Sequence, residues 1–364
     1  MQLAVISALL IILSGCEKLK TQRQEQVVIK HISLKVLSPR LSILANAAYE
    51  FETSSEKACS HPITNQSLLL ELRASWKRFA IAWASVQPFN LGPISDHNLA
   101  SQIQYWPDAK DFTKHKVDEL LSSEQSVNHR SMRNALPLLT GLVALEYILF
   151  DPIQSEKLAR GAEHQRYCKY LISSAQILRA QIDQTNNAWQ NFAYSLSSFG
   201  QSNSAFPNSK VVIALLIESL ISASKQIKVD KIDRPLGYIE HTSSDNTGHS
   251  PQINLATMEW RRSQLADRAL LANMETIHSL LFNRKKGLLS LLSGEQTPLE
   301  KEIFARSQSI QQLLQRKPLA KLQQSGNSQD KDLLKLRDDV KHFYQLINEQ
   351  LPPHFGIHIT GAHL

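Results

Sequence analysis

The sequence predicts an all-α protein built as two helical-bundle halves with a cleft between them. Apolar residues recur at spacings of three and four in the long segments, alternating β-type runs are nearly absent, and 42% of the residues are hydrophobic, enough for a large core. A segment at 200–209 carries the Gly, Asn, Ser and Pro residues typical of a linker. We therefore expect an N-terminal bundle over 31–200, a C-terminal bundle over 210–351 and a tail over 352–364.

The first sixteen residues resemble a bacterial lipoprotein signal. Residues 3–13 form an apolar run too short to span a bilayer, and it ends in Leu13-Ser-Gly-Cys16, which matches a lipobox at all four positions. This pattern predicts a signal peptide over 1–15, acylation (palmitate) of Cys16 and a lipidated polar tether over 16–30. The alternative is a buried N-terminal helix with an unrelated cysteine.

The residue after the lipobox and the charge pattern bear on location and partners. Glu17 resembles the sorting pattern of outer-membrane lipoproteins, so we expect a periplasm-facing protein on the outer rather than the inner membrane. A net charge of +7 first suggests nucleic acid or an anionic surface, but the basic residues alternate with acids, as in Arg337-Asp338-Asp339. The expected partner is a membrane, reached through Cys16, and nucleic acid is excluded.

Two cysteines remain in the exported chain. In an oxidising compartment Cys59 and Cys168 are a candidate disulfide, with two free thiols as the alternative. Neither lies in a Cys-x-x-Cys spacing, so a redox or zinc site is not expected.

The individual helices follow from the apolar spacing. A helix from about Thr64 to Pro88 is predicted by one stripe, formed by Leu69, Leu72, Trp76, Phe79, Trp83 and Val86. The same pattern covers residues 131–150, where Pro137 and Gly141 should kink or break the helix. A long helix, or two collinear ones, is expected over 155–198. The remaining predicted helices cover residues 210–229, 259–282, 298–315 and 330–351.

Nucleotide-binding and hydrolase motifs are missing from the sequence: it holds no Gly-x-Gly-x-x-Gly, P-loop, Gly-x-Ser-x-Gly or His-Glu-x-x-His.

Two segments nevertheless carry candidate binding residues. A Pro- and Gly-rich loop after the Trp76 helix keeps Trp106 and Asp108 together, either as a binding element or as a structural loop whose Trp106 plugs the bundle end. Glu146 is the single acid of an apolar run, so it needs a cation, a metal or hydrogen-bond donors, or is protonated; a salt bridge to Arg133 is the structural alternative.

Several stretches in this order resemble the imelysin-like family, bacterial periplasmic and outer-membrane proteins linked to iron uptake or regulation. The stretches are Trp76 to Trp83, Phe89-Asn-Leu-Gly-Pro93, Trp106-Pro-Asp108, Gly141 to Phe150, Arg234-Pro-Leu-Gly237, Arg262-Ser263 and Leu271-Ala-Asn-Met274. The resemblance implies a two-domain all-α fold, each half a four-helix bundle, with a candidate site in the cleft. The cleft candidates are Glu146, Trp106, Asp108 and Gly141.

The chain departs from the family pattern at its metal motif. The family signature is Gly-x-His-x-x-Glu, whereas this chain has Gly141, Val143 and Glu146 at the matching positions. Valine ligates no metal and moves no proton, which leaves Glu146 as a lone candidate ligand and argues against a metallopeptidase. The tail also lacks the acids that often end family members. His354, His358 and His363 could there bind zinc, copper or nickel, or belong to a frayed C-terminus that binds nothing.

Three functions remain open at the level of the sequence. The first is a lipid-anchored binding or accessory protein of iron acquisition, or of another divalent metal, that takes a metal ion, ligand or iron-uptake partner protein in the cleft. The second is a metallopeptidase of the imelysin type, which needs a water-activating metal. The third is a structural envelope protein with a degenerate cleft. We favour the first.

Overall fold

The computed structural model describes residues 21–60, 66–160, 162–238, 252–283, 285–292 and 297–357. Within these ranges every regular element is helical, which confirms the all-α prediction. None of these helices combines the length and apolar character that a bilayer crossing requires. The signal peptide, Cys16, His358 and His363 lie outside the described residues.

Three long helices dominate the first half, and the shorter helices between the second and the third pack against them. Its helices, in chain order, are α1 (Ser38–Cys59), α2 (Gln66–Val86), α3 (Pro93–Asp96), α4 (Leu99–Ile103), α5 (Phe112–Ser122), α6 (His129–Met132), α7 (Pro137–Thr140), α8 (Leu142–Phe150), α9 (Pro152–Ala159) and α10 (His164–Ser197). A 3-10 turn, Gln87–Phe89, directly follows α2. α1 packs against both α2 and α10.

The second half follows a turn region at 198–208, where the linker was predicted. Its helices are α11 (Ser209–Gln226), α12 (Ala266–Leu281), α13 (Pro298–Gln315), α14 (Pro318–Ser325) and α15 (Lys331–Gln345). π-helical turns extend α11 over Ile227–Asp233 and α15 over Leu346–Gln350, and 3-10 turns cover Leu255–Thr257, Leu288–Leu291 and Pro352–Phe355. α12 packs against α13 and also against α2, so it joins the halves.

The predicted apolar stripe of α2 is confirmed and forms the centre of the first half. Leu72, Trp76, Phe79, Trp83 and Val86 are all essentially inaccessible to solvent. Residues at these spacings share one helical face, and burial of aromatic side chains of this size contributes several kcal/mol in total, roughly 1.5–3 kcal/mol each.

The predicted disulfide is present between Cys59 and Cys168. It joins the C-terminal end of α1 to the N-terminal turns of α10 across a sequence separation of 109 residues. A cross-link over a loop of this length restricts the unfolded chain and so stabilises the first half, typically by about 2–4 kcal/mol.

Breaks in the predicted helices follow the expected residues. The 131–150 region forms α6, α7 and α8, with Pro137 at the first position of α7 and Gly141 directly before α8. The 155–198 region is two helices, α9 and α10, because Arg160 adopts an extended conformation between them. Asp151 caps α9 by accepting hydrogen bonds from the backbone N–H groups of Ile153 and Gln154.

Two predicted boundaries were wrong. Residues 21–31 are helical and run through a π-helical turn, Ile32–Leu37, into α1, with Val28 and Ile29 fully buried. The polar tether expected over 16–30 is therefore folded from residue 21 onward, because its last residues supply apolar side chains to the core. The helix predicted over 259–282 begins only at Ala266, since Trp260 and Gln264 hold a left-handed backbone that interrupts it.

Candidate functional site

A cavity of about 610 Å³ lies where the loop after α2 faces α11. Residues 83–107 of the first half form one wall, and residues 219–230 of the second half form the other. Three of the lining side chains are aromatic: Trp83, Tyr105 and Trp106. The polar lining consists mainly of side-chain amides and hydroxyls, from Gln87, Asn90, Asn98, Gln104, Gln226, Ser101, Ser219 and Ser222.

A buried ion pair touches the side chains that line this cavity. Lys231, in the π-helical turn after α11, lies 2.9 and 2.8 Å from the two carboxylate oxygens of Glu259. The Lys231 ammonium also donates to the side-chain carbonyls of Asn273 at 2.8 Å and Gln87 at 2.9 Å. Burial lowers the pKa of Lys231, while the charge of Glu259 opposes that shift. With so many acceptors around one ammonium, the ion pair is fully hydrogen-bonded in the core.

Amide side chains connect the ion pair to the cavity wall. Gln104 donates to Glu259 at 2.9 Å, and its carbonyl accepts from the Trp83 indole at 2.7 Å and from Gln87 at 2.6 Å. Asn273 of α12 holds Gln87 in place by donating to its carbonyl at 3.0 Å. Since Gln87, Gln104 and Trp83 line the cavity, its floor is a rigid polar network that reaches both halves.

Trp106 lies directly in the cavity wall. The Trp106–Pro107 peptide bond is cis, and the Lys231 ammonium lies 5.9 Å from the Trp106 ring centroid. The indole N–H of Trp106 is buried and has no hydrogen-bond partner among the described residues. Trp106 lines the cavity, but this buried N–H is not open to it, and a binding role for Trp106 stays a prediction.

Glu146 occupies a different place, deep between α8 and the turn before α12. One of its carboxylate oxygens accepts hydrogen bonds from the Ser263 backbone N–H at 2.9 Å and from the Ser263 hydroxyl at 2.7 Å. Burial raises the pKa of Glu146, while the Ser263 hydrogen bonds and the charges of Arg262 and Arg261 oppose the shift. The hydrogen bonds of Glu146 thus reach Ser263 of the second half. Arg133, the alternative salt-bridge partner of Glu146, is exposed.

A second ion cluster lies near Glu146. Asp111 accepts from Arg261 at 2.5 Å and from Arg262 at 3.2 Å, and the Arg262 guanidinium lies over the Tyr147 ring at 5.0 Å. Burial alone would raise the pKa of Asp111, but the hydrogen bonds and charges of the two arginines outweigh it and lower the pKa. This cluster joins the halves and orients the turn that carries Ser263.

Asp108 and Gly141 have local structural contacts. The two carboxylate oxygens of Asp108 accept from the backbone N–H groups of Phe112 at 2.8 Å and Thr113 at 2.9 Å, at the start of α5. Gly141 immediately precedes α8, where a Cβ atom would lie 2.8 Å from the Ile103 carbonyl oxygen and 2.9 Å from that of Pro137. Neither residue lines the cavity, so the structure does not bring Asp108, Gly141, Glu146 and Trp106 together in one wall.

The residues at the family's metal motif do not fit a metal ion. Val143 offers no ligand atom, and one oxygen of Glu146 is already hydrogen-bonded to Ser263. Within the part of the chain that the structure describes, no group of three or more His, Cys, Asp or Glu side chains is arranged to hold a metal. His354 is exposed on the 3-10 turn near the C-terminus.

Sequence reasoning missed the buried network under the cavity. Lys231 and Glu259 each lie among other charged or aromatic residues, and Gln87, Gln104 and Asn273 have no spacing that marks them as partners. The nearest signals were the family-like stretches: Leu271 to Met274 contains Asn273, while Arg234 to Gly237 and Arg262-Ser263 flank the network.

Comparisons with known proteins agree with the fold. The family model described as Imelysin (peptidase M75) matches residues 37–342. An imelysin-like protein from Psychrobacter arcticum 273-4 is similar in structure with a TM-score of 0.73 and 20% identity, over 93% of this chain and 97% of that chain. A "putative iron-regulated protein A precursor" from Parabacteroides distasonis ATCC 8503 has a TM-score of 0.72 and 13% identity, over 90% of this chain and 94% of that chain.

No curated protein matches the chain. The two solved structures, at these identities, support the fold alone. The family model covers well over half of the residues, from α1 to the last turns of α15. This protein therefore belongs to the imelysin family.

Proposed function

We propose that this protein is a lipid-anchored binding or accessory component of iron acquisition, or of acquisition of another metal, and that it takes its ligand in the cavity between the two halves. The observation that carries the proposal is the cavity itself, with its aromatic wall and its polar floor of Gln87 and Gln104, which the buried Lys231–Glu259 pair supports from behind. Membership of the imelysin family and the iron-regulated description of the Parabacteroides protein support a link to iron.

The chemistry of the cavity favours binding over catalysis. Its lining is dominated by amides and hydroxyls, which recognise ligands by hydrogen bonds and are poor proton-transfer groups near neutral pH. The Lys231 ammonium is already hydrogen-bonded to Glu259, Asn273 and Gln87, so it is not poised as a base or nucleophile. Aromatic surfaces beside such groups are typical of sites for organic ligands.

The same lining favours a metal carried in an organic complex, or a segment of a partner protein, over a bare cation. Divalent and ferric ions prefer carboxylate, imidazole or thiolate ligands. The one carboxylate in the lining, Asp230, is paired with Arg234 at 2.7 Å. A neutral complex would instead use the amides and the aromatic side chains of the lining.

The proposed place of action is the periplasmic side of the outer membrane. Its support is the Leu13-Ser-Gly-Cys16 lipobox with Glu17 after it. Two or more acyl chains would hold the protein stably on the membrane, and residue 21, the first described residue, is already helical.

The test is calorimetry on residues 17–364, which contain every described helix. Ferrous, ferric, zinc and copper ions are titrated as salts, and iron also as ferric citrate and as a neutral ferric hydroxamate complex. We expect saturable binding of a ferric complex that Ser222→Trp weakens at least about tenfold, because Ser222 is an exposed lining residue whose enlargement fills the cavity. The matched control is Ser325→Trp, at the exposed end of α14, with affinity unchanged.

The absence of saturable binding for every ion and complex would rule out direct metal binding and favour a segment of a partner protein as the occupant. Equal affinity in Ser222→Trp and in the unchanged chain would contradict the proposal, since it would place the ligand outside the cavity. Casein degradation that a chelator abolishes would favour the metallopeptidase instead.

A further inference from the structure

Two cations of α2 lie beside Phe150, at the end of α8, and a third cation, Arg268 of α12, is close enough to Lys77 to act on its charge. Arg73 and Lys77 lie one helical turn apart on α2 and both face the Phe150 ring, with the guanidinium carbon 5.5 Å and the ammonium nitrogen 5.4 Å from its centroid. Arg268 projects from α12, which packs against α2. Burial lowers the pKa of Lys77, and the charges of Arg268 and Arg73 lower it further, so the three cations repel one another.

Three other pairs of convergent cations among the described residues each share a carboxylate. Asp233 accepts from Lys228 at 3.1 Å and Arg337 at 2.7 Å. Asp339 likewise accepts from two cations, Arg306 at 2.7 Å and Lys335 at 2.9 Å. Asp111 does the same between Arg261 and Arg262. In each case one acid offsets the repulsion of two bases.

The group beside Phe150 lacks such an acid. In the described ranges no Asp or Glu lies within ion-pair distance of Arg73, Lys77 or Arg268; Arg73 donates instead to the Leu149 backbone carbonyl at 2.7 Å. A half-buried ammonium that faces two guanidinium groups destabilises the fold, since desolvation and like-charge repulsion act in the same direction. An anion from outside the chain would remove that cost.

We propose that Arg73, Lys77 and Arg268 form a binding site for a phosphate group, with Arg73 and Lys77 held over the Phe150 ring. A phosphate carries up to two negative charges and several acceptor oxygens, which suits three cations better than a single carboxylate does. Each guanidinium group can donate two parallel hydrogen bonds to a phosphate, and the ammonium acts as a point charge. The phosphate can be free, or belong to a lipid headgroup of the membrane to which the chain is proposed to be anchored.

The test uses residues 17–364 with two probes: inorganic phosphate, followed by calorimetry and thermal unfolding, and vesicles of phosphatidylglycerol against phosphatidylcholine, followed by flotation. We expect saturable binding of at least one phosphate probe and a higher midpoint of unfolding with it. Lys77→Gln should weaken binding at least about tenfold, and added sodium chloride should weaken it in the unchanged chain.

The matched control is Arg78→Gln, the next residue of α2, whose guanidinium is exposed and pairs with Glu50 at 3.3 Å. Its phosphate binding should equal that of the unchanged chain. Without phosphate, Lys77→Gln should unfold at the same temperature or higher, because it removes a repelled charge; this shows that a loss of binding is not a loss of folding.

The two probes distinguish a site for free phosphate from a site for a lipid headgroup. Binding of inorganic phosphate alone that Lys77→Gln weakens supports a free-phosphate site, and phosphatidylglycerol binding that Lys77→Gln weakens supports a headgroup site. The proposal is overturned if neither probe binds saturably, or if Lys77→Gln binds both probes as the unchanged chain does.

Discussion

Two glutamates are equally inaccessible in this molecule, with exposed fractions of 3% for Glu259 and 2% for Glu146, yet their surroundings differ in kind. Glu259 faces the Lys231 ammonium with both carboxylate oxygens and accepts a further hydrogen bond from Gln104. Glu146 has the N–H and hydroxyl of Ser263 as its recorded donors, and its pKa is raised by burial.

The difference shows which buried acid is built as part of a polar site. Glu259 is paired with the Lys231 ammonium, and its hydrogen-bond network reaches the cavity wall through Gln104. Glu259 is therefore part of the polar network next to the cavity. Glu146 stands at the position of the family's metal motif, but its contacts are those of an acid that tethers the turn before α12 to α8. Burial alone therefore does not show which carboxylate belongs to a polar network; its partners do.

The largest expected effect is at the ion pair. Lys231→Met leaves Glu259 buried without its counter-charge, so the free energy of unfolding should fall by about 3–5 kcal/mol in urea titrations. The double variant Lys231→Met/Glu259→Leu should lose less, since it removes both charges. The matched control is Lys335→Met, an exposed lysine paired with Asp339, which should cost less than about 1 kcal/mol. Equal losses for the two lysines would contradict the distinction.

A smaller effect is expected at Glu146. Glu146→Ala removes the acceptor for the Ser263 N–H and hydroxyl and should lower the free energy of unfolding by about 1–3 kcal/mol. Glu146→Gln keeps a carbonyl oxygen there and should lose clearly less. If Gln is as damaging as Ala, the negative charge of Glu146 matters and the tethering interpretation is wrong.

The pH dependence sharpens the same point. Because the folded-state pKa of Glu146 is raised above its ordinary value of 4.5, the folded chain takes up this proton before the unfolded chain as pH falls. Between the folded pKa and 4.5, this carboxyl therefore adds stability as pH falls, by at most about 1.4 kcal/mol per pH unit. Unfolding of the unchanged chain and of Glu146→Gln from pH 7 to 4.5 should diverge in favour of the unchanged chain.

The acids whose pKa is lowered act in the opposite direction and provide the internal control. Asp111 and Asp339 lose their stabilising contribution as pH falls, but both chains contain them, so their effect cancels in the difference. Two parallel stability curves would show that Glu146 does not titrate differently in the folded and unfolded chains.

The smallest expected effect is on metal affinity when the family motif is restored. Val143→His places a histidine three residues before Glu146, but one Glu146 oxygen is already hydrogen-bonded to Ser263, and tight binding still requires a third ligand. Zinc calorimetry on Val143→His should show no saturable binding tighter than that of the unchanged chain. A new site that Glu146→Ala then abolishes would show that the histidine alone was missing.

Periodicity was a sufficient guide for most of the fold. The stripe of α2, the breaks at Pro137 and Gly141, and the ends of α13 at Pro298 and Gln315 all follow from local spacing, proline geometry and capping. The disulfide of Cys59 with Cys168 followed from residue count and compartment. The stripe, the breaks and the helix ends depend on residues close together in the sequence. The disulfide could be predicted because Cys59 and Cys168 form the one possible pair once Cys16 is set aside.

The errors occurred where distant contacts decide the conformation. Residues 259–265 have helical spacing, but Trp260 packs edge-on against Trp76 at 5.3 Å, and Ser263 turns its N–H toward Glu146. Residues 21–30 look polar, yet Val28 and Ile29 enter the core. In both places tertiary packing outweighs the local preference of the segment.

The sequence by itself determined the helical class, the family and the disulfide partners, because these depend on composition, spacing and motif order. Only the tertiary structure decided what the buried polar residues do. It joined Gln87, Gln104, Lys231, Glu259 and Asn273 into one network beneath a cavity, and it gave Glu146 a serine of the other half as its partner. Hydrogen bonds between residues 28 to 155 positions apart leave no periodic trace in the chain, since they depend on how helices pack rather than on how each helix forms.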